Sequence, residues 1–82
     1  MNLFEDVKTI SCTPEADWKK VKKGTYIWVS KYPIPRNGYK GMYEQFSKYS
    51  RNLVYTISKF SDGTILDIPW TYANLHRKGK TI

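Results

Sequence analysis

The chain has 82 residues with 14 Lys and Arg against seven Asp and Glu, a formal net charge of +7, three Trp, seven Tyr and three Phe. This length suits one domain over residues 1–82, and a lone cysteine excludes a disulfide framework and a multi-cysteine metal site, so we expect no cofactor. No apolar run is long enough to span a membrane and the amino terminus does not match a secretory signal, so we expect a cytoplasmic protein without membrane contact.

The two ends of the chain carry weak structural signals. Residues 1–12 mix apolar and acidic side chains, and the pattern fits either a short strand at Val7–Ser11 or one helical turn at Phe4–Thr9. Residues 77–82 form a basic tail. We expect the segment 1–12 and the tail 77–82 to be flexible.

A helix is predicted to begin at Thr13-Pro14 and to end at Gly24. Thr13 can cap the free amide groups, and proline suits the first helical position. Trp18 and Val21 are three residues apart, so both can face the sheet. The lysines near the end are either a solvated helix terminus favoured by the dipole or a source of sequence-independent attraction for a polyanion. They are Lys19, Lys20, Lys22 and Lys23.

Thr25–Tyr32 is the strongest predicted strand because it is β-branched and aromatic. Ile27 and Val29 project from one face. The opposite face carries Tyr26, Trp28, Ser30 and Tyr32, and we expect Trp28 to be at least half buried. Because both faces carry apolar groups, the strand either lies in the centre of a sheet or has one exposed apolar face. As an edge strand it would pair with a second copy in a homodimer.

Pro33, Pro35 and the Asn37-Gly38 turn signal interrupt the chain after this strand. Residues 39–50 follow. Their pattern is ambiguous. Met42, Phe46 and Tyr49 recur at i, i+4 and i+7, which favours a short helix, whereas Tyr43 and the nearby Gly38 and Gly41 disfavour one.

A β-hairpin is predicted from Leu53–Phe60 and Ile65–Ile68, with Asp62-Gly63 as a two-residue turn of the primed type. This register places Ile57 opposite Ile68. The predicted core face then holds Tyr55, Ile57, Leu66 and Ile68, and the predicted polar face holds Thr56, Ser58 and Asp67.

The order strand, long loop, strand, tight hairpin, strand, followed by Pro69-Trp70-Thr71-Tyr72, resembles the SH3-like small barrels. These domains often follow the last hairpin with a Pro-containing 3₁₀ turn that bears a tyrosine. The resemblance implies a mainly β (α+β) fold, a small partly open barrel of antiparallel strands with one or two short helices. The basic loop is more compatible with the nucleic-acid-handling or adaptor branches of these barrels. Size, charge and aromatic content also resemble small accessory proteins of large bacteriophages.

Cationic and aromatic residues alternate between residues 31 and 51, and this is the main candidate site. The cations would neutralise phosphates, and the tyrosines would stack bases at about 1–3 kcal/mol each. The alternative interpretation is a solvated loop whose tyrosines fill the core. The predicted nucleic-acid-binding residues are Lys31, Tyr32, Arg36, Tyr39, Lys40, Tyr43, Lys48, Tyr49 and Arg51.

Three single residues are candidates for chemistry. His76 and Glu44 are the candidate proton carriers, although His76 has no evident carboxylate partner in the sequence. Cys12 precedes the predicted helix, where a thiolate is stabilised, yet a buried and inert thiol is the more ordinary interpretation. No catalytic motif is present, so we expect a binding protein rather than an enzyme.

Residues 18–82 carry 13 Lys and Arg against three acids, a net charge of +10. This charge and the interleaved tyrosines predict a small RNA- or DNA-binding protein, such as a phage accessory factor in the bacterial host cytoplasm. The alternative is a protein–protein module, such as a phage inhibitor of a host defence or toxin protein. A second alternative is a small toxin-like ribonuclease.

Overall fold

The computed structural model describes residues 8–33 and 41–76. Within these ranges the chain forms one short helix and six strands, so the predicted mainly β fold is confirmed. The elements are β1 Ile10–Ser11, α1 Glu15–Trp18, β2 Tyr26–Ser30, β3 Met42–Ser50, β4 Leu53–Lys59, β5 Ile65–Trp70 and β6 Tyr72–Asn74. The predicted turn at Asn37-Gly38 and the tail 77–82 lie outside the described residues.

The strands form one open sheet in the order β1-β6-β2-β3-β4-β5. β1 runs parallel to β6, and the other neighbours are antiparallel. Only Thr71 separates β5 from β6, yet β5 pairs with β4 and β6 pairs with β2. The continuous segment from β5 to β6 therefore contributes strands to two distant parts of the sheet. This connection curls the sheet around its core.

The hydroxyl of Thr9 is inserted into the ladder where β5 leaves β4. Val54 and Trp70 are partners in the β4–β5 register, but the Val54 N–H donates to Thr9 Oγ1 at 2.8 Å. The same hydroxyl donates to the Trp70 carbonyl oxygen at 2.7 Å. The Thr9 N–H also donates to the Asn52 carbonyl oxygen at 2.8 Å. The amino-terminal segment thus joins β4 to β5 across the gap.

The core lies on the inner face of the curled sheet, under α1. Trp18 stacks on Phe46 with ring centroids 5.9 Å apart. Trp70 Nε1 donates to Thr56 Oγ1 at 2.6 Å in a fully buried pair. The core cluster consists of Trp18, Ile27, Val29, Phe46, Val54, Trp70 and Ala73. Ile27 and Val29, which were predicted to share one face of the strand, are both fully buried, and the prediction that Trp28 is at least half buried is confirmed.

The helix is shorter than predicted, and the predicted cap is wrong. α1 ends at Trp18, and its N-cap residue, Pro14, makes no side-chain cap hydrogen bond. The Thr13 hydroxyl instead donates to Asn74 Oδ1 at 3.2 Å and accepts from the Leu75 N–H at 2.8 Å. Thr13 therefore ties the start of the chain to β6 rather than capping the helix.

The short helix favoured for residues 39–50 is wrong over its described part, because Met42–Ser50 is a strand. The register of β3 against β4 shifts between Phe46 and Lys48, which marks a bulge. An extra residue at a bulge lets Phe46 and Tyr49, three apart, face the same side. Strand alternation from Met42 to Phe46 is followed by the register shift before Tyr49. The two together give the apolar spacing i, i+4 and i+7, which is also the spacing of a helix.

The predicted hairpin exists, but its register is wrong by one residue. Gly63, at φ +91°, donates its N–H to the Phe60 carbonyl oxygen at 2.9 Å, and the Phe60 N–H donates to the Thr64 carbonyl oxygen at 2.9 Å. The loop therefore has three residues instead of the predicted two, and Gly63 adopts a left-handed backbone conformation in it. A register shift of one residue changes which side chains of the paired strands point to the core and which point to solvent.

The predicted core face of this hairpin is wrong as a consequence of the shift. Thr56 pairs with Ile68 and is fully buried, although it was assigned to the polar face. Leu66 pairs with Ser58 and is 49% exposed, although it was assigned to the core.

Self-pairing through β2 is also wrong, because β6 and β3 occupy both of its sides. β5 lies at an edge and includes Pro69, which has no N–H to donate to a further strand. Across residues 8–33 and 41–76, α1 spans only four residues, and no helix has the length and apolar character needed to cross a bilayer.

Candidate nucleic-acid interface

Three aromatic side chains form a cluster on the outer face of β2 and β3. Tyr26 stacks on Tyr43 with ring centroids 5.0 Å apart and planes 26° apart. Trp28, directly opposite Tyr43 in the register, contacts the same ring at 4.8 Å with a 34° tilt. We call Tyr26, Trp28 and Tyr43 the aromatic platform.

The platform follows from strand alternation. Because Ile27 and Val29 enter the core, Tyr26 and Trp28 must project outward. Such ring pairs contribute about 0.5–1.5 kcal/mol beyond their buried area, so the cluster also stabilises the sheet. Tyr26 and Tyr43 nevertheless stay 50% and 53% exposed, which leaves ring surface for a flat ligand.

Exposed lysines flank the platform along the chain. Lys22 and Lys23 precede β2, and Lys31 follows it. The segment before β2 is held beside β3, because the Gly24 N–H donates to the Phe46 carbonyl oxygen at 2.7 Å. Among the described residues one ion pair forms, between Lys19 Nζ and Glu15 Oε1 at 3.7 Å, so the three flanking lysines pair with no described carboxylate.

The nine predicted binding residues do not form one described surface. Tyr43 belongs to the platform, and Lys31 and the half-exposed Tyr32 follow the end of β2. Arg51 lies eight positions after Tyr43, which corresponds to roughly 25 Å along a strand. Three further predicted residues, Arg36, Tyr39 and Lys40, lie outside the described ranges.

The predicted residues at the far end of β3 have separate roles. Lys48 lies over the ring of Tyr55, 4.9 Å from its centroid. Tyr49 packs against the core, as the alternative interpretation of the tyrosines expected. Burial, and then the nearby Glu15 carboxylate, raises the pKa of Tyr49 above its ordinary value. Arg51 is exposed at φ +52° in the β3–β4 turn.

Sequence reasoning did not include Tyr26 and Trp28 in the site. The signal was present, because both were placed on the outward face of the strongest strand. Their contact with Tyr43 depends on the pairing of β2 with β3, and the predicted helix at residues 39–50 concealed that pairing.

Two of the residues considered for chemistry, Cys12 and His76, line one cavity of about 260 Å³ together with Asp17, Asn74 and Leu75. Glu44, the third candidate, does not line this cavity. The thiol of Cys12 is exposed, so the expectation of a buried thiol is wrong. In the part of the chain that the structure describes, no group of three His, Cys, Asp or Glu side chains could hold a metal ion.

Comparison of the chain with known protein families, curated proteins and solved structures finds no match. The resemblances to SH3-like barrels and to phage accessory proteins therefore stay predictions.

Proposed function

We propose that the chain binds single-stranded RNA or DNA, with bases stacked on the aromatic platform and phosphates attracted by the flanking lysines. The observation that supports this most is the stacked and half-exposed pair Tyr26–Tyr43 on the outer face of the sheet. Stacking of a base on an aromatic ring is worth about 1–3 kcal/mol and tolerates any sequence.

The platform favours an unpaired strand over a duplex. It offers the faces of rings, and a base inside a duplex already has its faces covered by its neighbours. Unpaired bases can be splayed out and stacked on aromatic side chains. We therefore expect tighter binding to a single strand than to a double strand of the same sequence.

Charge supplies the second part of the affinity. The net charge of +7 attracts polyanions over long range, and among the described lysines Lys22, Lys23 and Lys31 lie nearest the platform in sequence. Each phosphate that a cation neutralises contributes about −0.7 to the slope of log K against log salt for a single strand. Three such contacts predict a slope of about −2.

Tryptophan fluorescence can follow the binding directly. Trp18 and Trp70 are 2% and 5% exposed, so Trp28 is the tryptophan that a stacked base would quench. The titrant is an oligonucleotide of about 12 nucleotides, at two salt concentrations, with its length checked afterwards to detect cleavage. We expect quenching that weakens as salt rises.

The matched control uses an exposed ring elsewhere. Phe60 is 49% exposed at the tip of the β4–β5 hairpin, close to the 53% of Tyr43. Tyr43→Ala should weaken binding by about tenfold, since one stacked base is lost, whereas Phe60→Ala should leave it unchanged. Equal effects of the two substitutions, or no binding at low salt, would rule out the platform as the site.

A further inference from the structure

The strand β5 is the last strand of the sheet, and within the described ranges it pairs only with β4. The turn before it fixes which backbone groups face β4, because the Phe60 N–H donates to the Thr64 carbonyl oxygen. Bonded and non-bonded pairs alternate in an antiparallel ladder, so Leu66, two positions on, also bonds to β4. The N–H and C=O groups of Ile65 and Asp67 therefore point away from β4, toward the open edge.

Apolar side chains adjoin this edge on both faces of the sheet. Ile65 is 59% and Leu66 is 49% exposed, and neighbours along a strand project from opposite faces. A partner that packs on one face of the sheet can cover only one of them. A strand added to the edge covers both, because its own side chains alternate in the same way. The exposed pair therefore indicates a β-strand as the partner.

The devices that shield edge strands do not cover this end of β5. Natural edges are shielded by proline, by a bulge or by a charged side chain at the edge. Pro69 lies toward the far end of the strand, and the β4–β5 register has no shift. The side chain of Asp67 is held back across β4, because its carboxylate accepts from Ser47 Oγ on β3 at 2.6 Å. Residues 65–67 are thus open to pairing.

The opposite edge of the sheet offers less to a partner strand. β1 has two residues, and the Thr9 N–H beside it already donates to the Asn52 carbonyl oxygen. Among residues 8–33 and 41–76, β5 is therefore the open edge that is long enough to pair, and a second copy presents the same edge. We infer that two copies of this chain pair through β5, antiparallel and across a two-fold axis. This inference does not depend on nucleic-acid binding.

Hydrogen bonds and charge together select the register. With Leu66 on the axis, Ile65 of each copy lies opposite Asp67 of the other, and the two outward pairs make four backbone hydrogen bonds. Pro69, which has no N–H, then lies outside the paired residues. An axis at Asp67 would set two carboxylates directly opposite each other, which is destabilising. An axis at Ile65 would bring Asp67 opposite Gly63, whose φ of +91° is not extended.

Leu66 meets its own copy in this register. Opposite residues of a non-bonded pair have Cα atoms about 4.5 Å apart, so the two leucines contact each other. The same edge is used on both copies, so the contact closes and assembly stops at the dimer. Only a short run of residues pairs on each copy, so the association is of the weak, transient class and needs high protein concentration.

Amide hydrogen exchange, followed by NMR at about 0.05 and 1 mM protein, tests the edge directly. At the lower concentration the N–H groups of Ile65 and Asp67 should exchange fast, whereas those of Leu66 and Ile68, which bond to β4, should be protected. At the higher concentration we expect the two outward N–H groups to exchange about threefold more slowly or less, since exchange occurs from the unpaired copy. Equal exchange rates at both concentrations would contradict the pairing.

A disulfide tests the register. Leu66→Cys in a Cys12→Ser background places two thiols at the axis, where the Cα separation of about 4.5 Å is within reach of a disulfide. Ser58→Cys in the same background is the matched control, because Ser58 lies opposite Leu66 on β4. Its two copies would be three strand spacings apart, roughly 14 Å. With dissolved oxygen as oxidant, the Leu66→Cys dimer should form at least about tenfold faster, and equal rates would refute the register.

Sedimentation equilibrium of the full chain, up to about 1 mM protein, measures the association itself. Leu66→Lys should weaken the dimer by about tenfold or more, because two like charges replace two apolar side chains at the axis. Ile10→Lys adds the same charge at a side chain 50% exposed on β1, the other edge strand, and should change association by less than about twofold. Far-ultraviolet circular dichroism confirms that each variant is folded.

Two results of the mass measurement would overturn the inference. They are a monomer at every concentration and an equal loss of association in the Leu66→Lys and Ile10→Lys variants. Protection of the outward N–H groups in a chain that sediments as a monomer would assign the edge to another part of the same chain and not to a second copy.

Discussion

The inserted hydroxyl of Thr9 gives the sharpest stability prediction. Thr9→Val keeps the shape of the side chain and removes the hydroxyl. The Val54 N–H and the Trp70 carbonyl oxygen then lose their shared partner, and these two residues are 0% and 5% exposed. A buried polar group left unsatisfied costs about 1–3 kcal/mol. We expect a loss of about 2–4 kcal/mol in the free energy of unfolding.

That loss is a large part of the total, because a domain of this length is stable by about 4–12 kcal/mol. Urea denaturation followed by circular dichroism measures it, and the melting temperature should fall by roughly 8–30 °C. Thr9→Ser retains the hydroxyl and should stay within about 1 kcal/mol of the unmodified chain. A Thr9→Val variant as stable as Thr9→Ser would show that the hydroxyl does not join the strands.

Three further outcomes are expected. Thr56→Val leaves the indole N–H of Trp70 without an acceptor in the core, so urea denaturation should show a loss of about 1–3 kcal/mol that Thr56→Ser avoids. Arg51→Asn should raise the free energy of unfolding by about 0.5–1 kcal/mol in the same assay, because asparagine tolerates the positive φ of this turn better than arginine. Hydrogen bonds from the side chain and then the backbone of Thr64 lower the pKa of Asp62. A group with a lowered folded pKa stabilises above its unfolded pKa, so this contribution should be lost as pH falls through the folded value, and an NMR titration that finds an ordinary or raised pKa would contradict it.

Strand positions with clear alternation could be predicted from the sequence. β2 lies in a segment bounded by glycine and proline and rich in β-branched and aromatic residues, so its existence and the division of its residues between two faces followed from local pattern. β3 could not be predicted, because the shift between Phe46 and Lys48 gave an apolar spacing that fits a helix. Periodicity alone does not distinguish a bulged strand from a helical turn.

The register of the last hairpin failed for a related reason. Asp62-Gly63 is compatible with a two-residue turn and with a three-residue loop, and the choice between them decides which face Thr56 occupies. Burial of the Thr56 hydroxyl becomes favourable only because Trp70 donates to it across the strands. Such a contact depends on tertiary pairing, and the sequence pattern carries no sign of it.

The candidate site could likewise be predicted only where it depends on local pattern, and not where it depends on strand pairing. Charge and aromatic content gave the hypothesis of a nucleic-acid ligand, which stays a prediction, and Tyr43 is among the predicted binding residues. The contact of Tyr43 with Tyr26 and Trp28 is long-range, so it required the β2–β3 register. Tyr49 was chosen from the same alternation of cations and rings, but the bulge turns it toward the core.

The position of Thr9 also bears on the order of assembly during synthesis. Its two hydroxyl partners lie 45 and 61 residues later in the chain, while β3 and β4 each pair with the strand that follows them. Local pairings form at a lower entropic cost than distant ones. A ribosome must therefore deliver Trp70 before the earliest described residues can take their final place.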